Sequence, residues 1–322
     1  MTNKEFYSQV QKDIVNYLPE SLKDVTAELI TVTKHNDTKQ TGLKLIQENE
    51  KSSPLLYLEP YFERFEQGNS MESIMKDLAE AYQHTRETTI PMPEMDYDKI
   101  KERLAVQLVS IDHNKERLKD LLYKPLGNGF AFTYSIIQNV ISGTDARLYI
   151  TREMAANHHY DLKALSNDAL TATAKRSPAI FADMESIMEE MTGQRERDSL
   201  PELTDELTFA ESGEPMFVLS NPERVHGATC LYYPDAQEQI AKALGDSFYV
   251  LPSSVHEQII VPEGKALSPE DLTQMVREVN DSQLSPDELL SYDVLHYDKD
   301  TKDLTIAGAK EKNLGTKDME VR

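Results

Sequence analysis

Between residues 216 and 262, short apolar runs alternate with turn-forming residues, and this spacing constrains the fold more than any other feature of the chain. Three runs, MFVLSN, GATCLYY and SFYVL, have the length of single β-strands. A helix is predicted between the second and third runs, with Asp235 as its N-cap, Glu238 three residues later and Gly245 at its end. The segment therefore predicts strands joined through one helix, in a parallel or an antiparallel arrangement.

The N-terminal part of the chain predicts two helices and a small sheet. An opening helix with one apolar face ends at Pro19, and Ser70 is the predicted N-cap of a second helix. Runs rich in β-branched residues at 25–33 and 41–47 flank the polar loop HNDTKQ and predict a hairpin, and a third strand follows at 55–58. The apolar face of the opening helix consists of Phe6, Val10, Ile14 and Leu18.

The central part predicts a second sheet and two more helices. The run LAVQLVSI favours a buried strand, with a helix continuing from Ile100 as the alternative. Aromatic residues alternate with smaller ones from Phe130 onwards and, together with the run at 147–150, predict a second hairpin. Residues 161–191 predict two helices separated near Pro178.

Two helix caps and a hairpin are predicted near the C-terminus. Ser268 with Asp271, and Ser285 with Glu288, each enclose a proline at the first helical position. A hairpin through YDKDTKD follows them. The predicted fold class is α+β, with mixed or mainly antiparallel sheets and packed helices in two halves.

The predicted boundary between these halves is the acid-rich segment 192–215, which lacks apolar periodicity and contains glycine and proline. It separates an N-terminal α+β domain at 1–191 from a C-terminal α+β domain at 216–308. Residues 309–322 are predicted to form a flexible tail.

The charge balance limits the classes of partner. The chain has 34 basic and 56 acidic residues, a net charge of −22, and its acids are densest at 196–214 and 270–303. Such a chain is repelled by the phosphate backbone, so direct binding of nucleic acid is not expected. The acidic surface either only keeps the protein soluble or binds another protein with a basic surface, for example by imitating nucleic acid.

No apolar run approaches the length of a membrane span, and no leader sequence is evident, so we expect a cytoplasmic protein without membrane contact. The single cysteine, Cys230, lies in an apolar run and is predicted to be a buried side chain rather than a nucleophile. The glycine-containing LGNGF lacks the other residues of a nucleotide loop, and no cofactor is predicted.

The strongest candidate for a functional site is the string PSSVHE, which places two hydroxyls, an imidazole and a carboxylate where a strand ends. The favoured interpretation is a turn whose serines bind backbone amides. The alternatives are a polar patch that contacts a ligand or partner, and an enzyme of unrecognised type that uses these groups. The candidate residues are Ser253, Ser254, His256 and Glu257, together with Glu59 from the other half.

Two further patterns resemble known sites only in part. HEQII lacks the second histidine of a zinc protease at Ile260, and His158, His159 and Asp161 favour a helix cap over a metal site. Around Glu59, the alternation in YLEPYFERF predicts a solvated strand edge, with paired carboxylates for acid–base chemistry as the alternative. No catalytic or metal-binding residue is therefore predicted.

Several segments, in order along nearly the whole chain, resemble an uncharacterised bacterial family known as a domain of unknown function. They are EFYSQVQKDIVNYLP, GLKL, SPLLYLEPYFERF, the stretch at 216–262, LSPEDLTQMVREVN and LSYDVLHYDKDTKDLTI. The resemblance implies a bacterial cytoplasmic protein, often carried on mobile elements of gut Firmicutes, and it brings no catalytic residues. The charge, together with the lack of catalytic signatures in the sequence, favours a regulatory, inhibitor or other protein-interaction role.

Overall fold

The structure, a computed structural model, describes residues 1–47, 53–87, 94–141, 144–209, 213 and 215–308. The chain forms two compact units, Met1–Pro93 and Glu94–Arg322. In each unit helices pack with antiparallel sheets, which confirms the predicted α+β class. The predicted tail at 309–322 lies outside the described residues.

The first unit contains a three-stranded antiparallel sheet in the order β1-β2-β3. Its strands are β1 Thr26–Thr33, β2 Lys39–Ile46 and β3 Leu55–Tyr57, and its helices are α1 Asn3–Asp13, α2 Glu59–Glu66 and α3 Met71–Glu87. Thr26 faces Ile46 at one end of the first strand pair and Thr33 faces Lys39 at the other, as the predicted hairpin requires.

The opening helix is stabilised by a capping box at its N-terminus and by burial of its apolar face. The Thr2 hydroxyl accepts the N–H of Glu5, and the Glu5 carboxylate accepts the N–H of Thr2, so that a capping box starts α1. A 3-10 helix at Ile14–Tyr17 continues it to Pro19, where the predicted helix ends. The predicted apolar face is buried at all four positions, Phe6, Val10, Ile14 and Leu18.

The prediction of a strand edge around Glu59 is wrong, because this segment forms helix α2. Pro60 lies in its first turn, where a missing N–H costs no helical hydrogen bond. The helix turns the rings of Phe62 and Phe65 towards Phe6, with both ring centroids 5.4 Å from that of Phe6. Packing of these partly buried rings against Phe6 therefore outweighs the apparent alternation of the sequence.

The second unit contains two antiparallel sheets. In the first, β6 pairs with β4 on one side and with β5 and β7 on the other; the second has the order β13-β12-β10-β11-β9-β8. The strands of the first sheet are β4 Leu104–Ser110, β5 Tyr123–Pro125, β6 Phe130–Ile141 and β7 Thr144–Tyr149. Those of the second are β8 Ile180–Asp183, β9 Phe217–Ser220, β10 Phe248–Leu251, β11 Gln258–Pro262, β12 Leu295–Asp298 and β13 Asp303–Ile306.

Short and medium helices surround these sheets. They are α4 Tyr97–Ile100, α5 Arg117–Asp120, α6 Arg152–Asn157, α7 Leu162–Arg176, α8 Met184–Met191, α9 Ala236–Leu244 and α10 Pro269–Gln283. A 3-10 helix at Gly227–Tyr232 follows β9. None of the helices within the described residues combines the length and the apolar character needed to cross a membrane.

The division between the compact units lies after Pro93 and not in the predicted segment 192–215. The described part of that segment instead contacts the second sheet, in which β8 and β9, from either side of it, pair directly. The N–H of Leu203 donates to Ala179 O at 2.8 Å, and Leu200 is buried. Its apolar residues therefore anchor a segment whose acids and prolines are typical of a linker.

Two smaller predictions are also wrong, and a third holds in part. GATCLYY forms the 3-10 helix and not a strand. Asp235 is the N-cap residue of α9 and Gly245 its C-cap, as predicted, but the Asp235 side chain makes no cap hydrogen bond. Residues 285–288 form a turn instead of a helix, with the Ser285 hydroxyl donating to Glu288 at 2.8 Å. The strand β8, beside Pro178, was not predicted.

Strand β4 is buried along its entire length although it lies at the edge of its sheet. Two of its backbone N–H groups are satisfied by hydroxyls from other elements. The N–H of Val106 donates to Thr173 Oγ1 on α7, and that of Leu108 donates to Thr229 Oγ1 on the 3-10 helix, each at 3.0 Å. These two threonines therefore replace the missing neighbouring strand.

We expect Thr229→Val to lower the free energy of unfolding by about 1–3 kcal/mol, because it leaves the Leu108 N–H buried without an acceptor. Urea denaturation followed by circular dichroism measures the change. Thr171→Val on the exposed part of α7 is the matched control, since that hydroxyl donates only to its own helix, at Asn167 O. Equal losses in the two variants would contradict the role of Thr229.

The Cys230 thiol is buried as predicted, and burial raises its pKa to about 12. Because the thiolate is the reactive form, we expect no reaction of the folded protein with dithionitrobenzoate at slightly alkaline pH. Unfolding in guanidinium chloride should release one equivalent of chromophore, since the chain has one cysteine. Rapid labelling of the folded protein would show that this core opens readily.

Candidate functional site

The four candidate residues between 253 and 257 lie together in the turn from β10 to β11. The Ser254 hydroxyl accepts the N–H of His256 at 3.0 Å, and the Ser254 N–H donates to Glu257 O at 3.3 Å. Ser253 is half-buried in the same turn. The hydroxyl of Ser254 thus binds a backbone amide, as in the favoured interpretation of the sequence.

The imidazole of His256 contacts two segments that are distant in sequence. Its Nδ1 accepts the backbone N–H of His226 at 3.3 Å, and its Nε2 lies 3.8 Å from Glu288 Oε1. Because Nδ1 is an acceptor, the neutral ring carries its proton on Nε2, on the side of Glu288. Both ring nitrogens therefore face partners other than Ser253 or Ser254, and the ring holds the turn to its surroundings.

The turn packs closely against Ser220 and Gly227 at the two ends of the 221–227 loop. The carbonyl of His256 accepts the Ser220 hydroxyl at 2.7 Å, and the rings of His226 and His256 stack with centroids 5.9 Å apart. A Cβ atom at Gly227 would overlap both His256 O and Ser220 Oγ, so only glycine fits there. His226 itself has a left-handed backbone with φ of 56°. The loop at 221–227 and the turn are therefore built against each other.

Glu257 belongs to a charged cluster that the sequence patterns did not reveal. Glu190 on α8, with a side chain only 8% exposed, contacts Arg224 at 2.7 Å and Arg197 at 3.1 Å. Arg224 also lies 3.9 Å from Glu257. These residues are far apart in sequence. The pairing of β8 with β9 brings α8, which follows β8, close to the 221–227 loop, which follows β9. The cluster fixes the loop that carries His226.

Glu59 lies in the first unit, where it has a structural environment. Its Oε1 accepts the N–H of Thr41 at 2.6 Å and the hydroxyl of Tyr7 at 3.4 Å. Burial, followed by the charge of Glu59, raises the pKa of Tyr7 to about 12. Glu59 thus connects α2 with β2 and α1.

The other candidate ligands occupy separate positions. Asp161 Oδ1 accepts the N–H of Ala164 at 2.7 Å, which confirms the predicted cap of α7, and His158 and His159 are exposed beside it. In the part of the chain that the structure describes, no group of three or more His, Cys, Asp or Glu side chains is arranged to hold a metal ion.

Carboxylates from several segments meet along one edge of the second sheet. Lys302, in the β12–β13 turn, contacts Glu238 of α9 at 2.6 Å. Asp246 accepts the N–H of Gly264 at 2.9 Å, and Glu263 lies 3.5 Å from His296 of β12. We call the resulting surface the acidic edge, which consists of Glu238, Asp246, Glu263, Asp298, Asp300 and Asp303.

Backbone donors stabilise the charged form of one carboxylate of the acidic edge, that of Asp298. The backbone N–H groups of Thr301 and Asp300 lower the pKa of Asp298 from its ordinary value, because both donate to its carboxylate. Asp300 and Asp303 are exposed, and Lys299 contacts Asp300 at 3.1 Å. Lys299 and Lys302 therefore offset only part of the negative charge of the six carboxylates of the acidic edge.

We expect His256→Ala to lower the free energy of unfolding by about 1–3 kcal/mol, because the N–H of His226 loses its acceptor. Ser253→Ala in the same turn is the control and should change stability by less than about 0.5 kcal/mol. Thermal and urea denaturation of both variants measure the difference. Wild-type stability in His256→Ala would refute the structural role of the imidazole.

Comparison with protein families matches residues 3–299 of the 322-residue chain to the model of a family of unknown function, DUF5688. No curated protein and no solved structure gave a significant match. The family match spans most of both units and agrees with the resemblance carried by the sequence segments. The chain therefore belongs to the DUF5688 family of unknown function.

Proposed function

We propose that this chain is a regulatory or inhibitor protein that acts by binding another protein through its acidic edge. The observation that carries the proposal is the convergence of carboxylates from α9, the turn after it, the 3-10 helix at Glu263–Lys265 and the β12–β13 turn. These segments are separate in sequence and acquire a common surface only in the fold.

The partner that fits this edge is a protein with a basic surface. Complementary charge mainly increases the rate and specificity of association, while each exposed ion pair contributes only about 0.2–1 kcal/mol. Several carboxylates on one edge supply the number of pairs that such a contact needs. The net charge of −22 repels phosphate backbones, which supports a protein partner over nucleic acid, and the proposed compartment is the cytoplasm.

The test is retention of a partner from a lysate of the native host on immobilised protein. The test variant is Asp300→Lys/Asp303→Lys, because both residues are exposed at the acidic edge. Its control is Asp120→Lys/Glu153→Lys, which makes the same charge change at exposed positions of α5 and α6. We expect wild type and control to retain one common protein, and the test variant to bind it about tenfold more weakly.

Titration calorimetry with the retained protein at low and high salt completes the experiment. Affinity should fall as salt rises, because exposed charges are screened beyond a Debye length of about 10 Å in ~0.1 M salt. Equal weakening in both charge variants would show attraction by net charge alone and refute a site at the acidic edge. Affinity that does not change with salt would also refute it.

A further inference from the structure

A cavity of about 690 Å³ opens in the second unit between β4, β6, β7, the end of α7 and the 221–227 loop. Its volume lies within the range of about 300–1,000 Å³ typical of small-molecule sites. Its apolar lining includes Ala105, Val106 and Ile137, and its charged lining includes Arg147 and Arg176. The cavity thus combines an apolar surface with two guanidinium groups.

Arg176, the last residue of α7, is oriented by the backbone. Its Nη2 donates to Glu102 O at 2.9 Å and to Leu104 O at 3.2 Å. Carbonyl groups carry no net charge, so these bonds fix the guanidinium without cancelling its charge. Arg147 reaches the cavity from β7, and both arginines also have further interactions within the protein. Each guanidinium has five N–H donors in a planar arrangement suited to anionic oxygens.

Basic residues around the cavity slightly outnumber acidic ones. A neighbouring cavity of about 340 Å³ shares Arg176 and is also lined by Lys101, Lys175, Glu102 and Asp168, of which Lys101 and Asp168 form an ion pair at 3.5 Å. Glu223 lines the larger cavity, where its carboxylate accepts the hydroxyl of Ser177. In a chain of net charge −22, a concave surface lined by slightly more basic than acidic residues departs from the average of the molecule.

Two tyrosine rings complete the lining. The Tyr233 hydroxyl donates to Ser177 O at 3.1 Å, and burial raises the pKa of Tyr233 above its ordinary value, so this group stays neutral. The Tyr149 hydroxyl is 3.4 Å from Gln107 Oε1. Because both hydroxyls bond within the protein, the rings contribute mainly apolar surface to the cavity.

We propose that this cavity binds a small organic anion, with a carboxylate or phosphate head at Arg147 and Arg176 and an apolar body against Ala105, Val106 and Ile137. The net negative charge of the chain repels anions at a distance, so selectivity comes from the two guanidinium groups at contact range. This site is separate from the acidic edge and does not depend on the proposed protein partner.

The experiment uses the full chain and a series of probes that differ mainly in charge. Phenylpropionate and phenyl phosphate are the anions, phenylpropanol is the neutral analogue and phenylpropylamine is the cation. Titration calorimetry and thermal shift measure binding. We expect both anions to bind and to raise Tm, and the alcohol and amine to bind at least about tenfold more weakly, because they lose the charge-assisted hydrogen bonds.

Three variants locate the binding. Arg147→Gln should weaken binding of the anions about tenfold while leaving that of phenylpropanol unchanged. Val225→Trp places a large ring at the cavity, where Val225 is 45% exposed, and should abolish binding of every probe. Arg277→Gln removes the same charge from α10 and should have no effect.

Several results would overturn the proposal. Absence of binding by both anions, equal affinity for phenylpropionate and phenylpropylamine, or undiminished binding in Val225→Trp would each do so. Undiminished anion binding in a folded Arg147→Gln variant would as well. If Arg147→Gln does not fold, the probe series and Val225→Trp still decide the outcome. None of these results bears on the acidic edge, which the charge variants of the β12–β13 turn test separately.

Discussion

The second unit depends on satisfying the buried backbone of β4. Among the strands that the structure describes, β4 has a neighbour on one side only, and an unpaired buried amide costs about 1–3 kcal/mol. Thr173 and Thr229 accept the N–H groups of Val106 and Leu108, and they belong to two different elements. The same bonds therefore fix α7 and the 3-10 helix against the sheet. Since α7 ends at Arg176 and the 3-10 helix begins beside His226, the walls of the cavity follow from this constraint.

The close contact at Gly227 holds the 253–257 turn against the start of the 3-10 helix. His256 contacts the loop through Nδ1, Ser220 of β9 through its carbonyl, and Glu288 through Nε2. Close approach without a side chain at Gly227 allows the loop and turn to meet at van der Waals distance. The string PSSVHE, which in sequence resembles a catalytic site, thus contributes a histidine that joins the turn to β9, to the 221–227 loop and to Glu288. The charged groups near this turn are those of the cluster formed by Glu190, Arg197, Arg224 and Glu257.

Elements with a strong local signal could be predicted from the sequence, and elements decided by distant contacts could not. The capping box at Thr2 and the hairpin around residues 34–38 are encoded by neighbouring residues. GATCLYY has strand-like composition, but its 3-10 helix brings Gly227 against His256 O and the hydroxyl of Thr229 to the Leu108 N–H, and these partners are distant in sequence. Sequence also placed the turn at 253–257 correctly, whereas its contacts with Glu288 and His226 have no local signature. The acidic edge shows the same limit, because its segments are far apart along the chain.

The direct pairing of β8 with β9 has a consequence for how the chain can be divided. The segment at 192–215 looks like a place to cut, yet the strands on either side of it are neighbours in one sheet. A polypeptide beginning after this segment would expose the hydrogen-bonding side of β9 and leave Phe217 and Leu219 without Phe181 beside them. Conversely, proteolytic nicking within the segment would leave both pieces joined by strand pairing and a shared core. The molecule is thus suited to fragment complementation and unsuited to dissection into separate halves at this point.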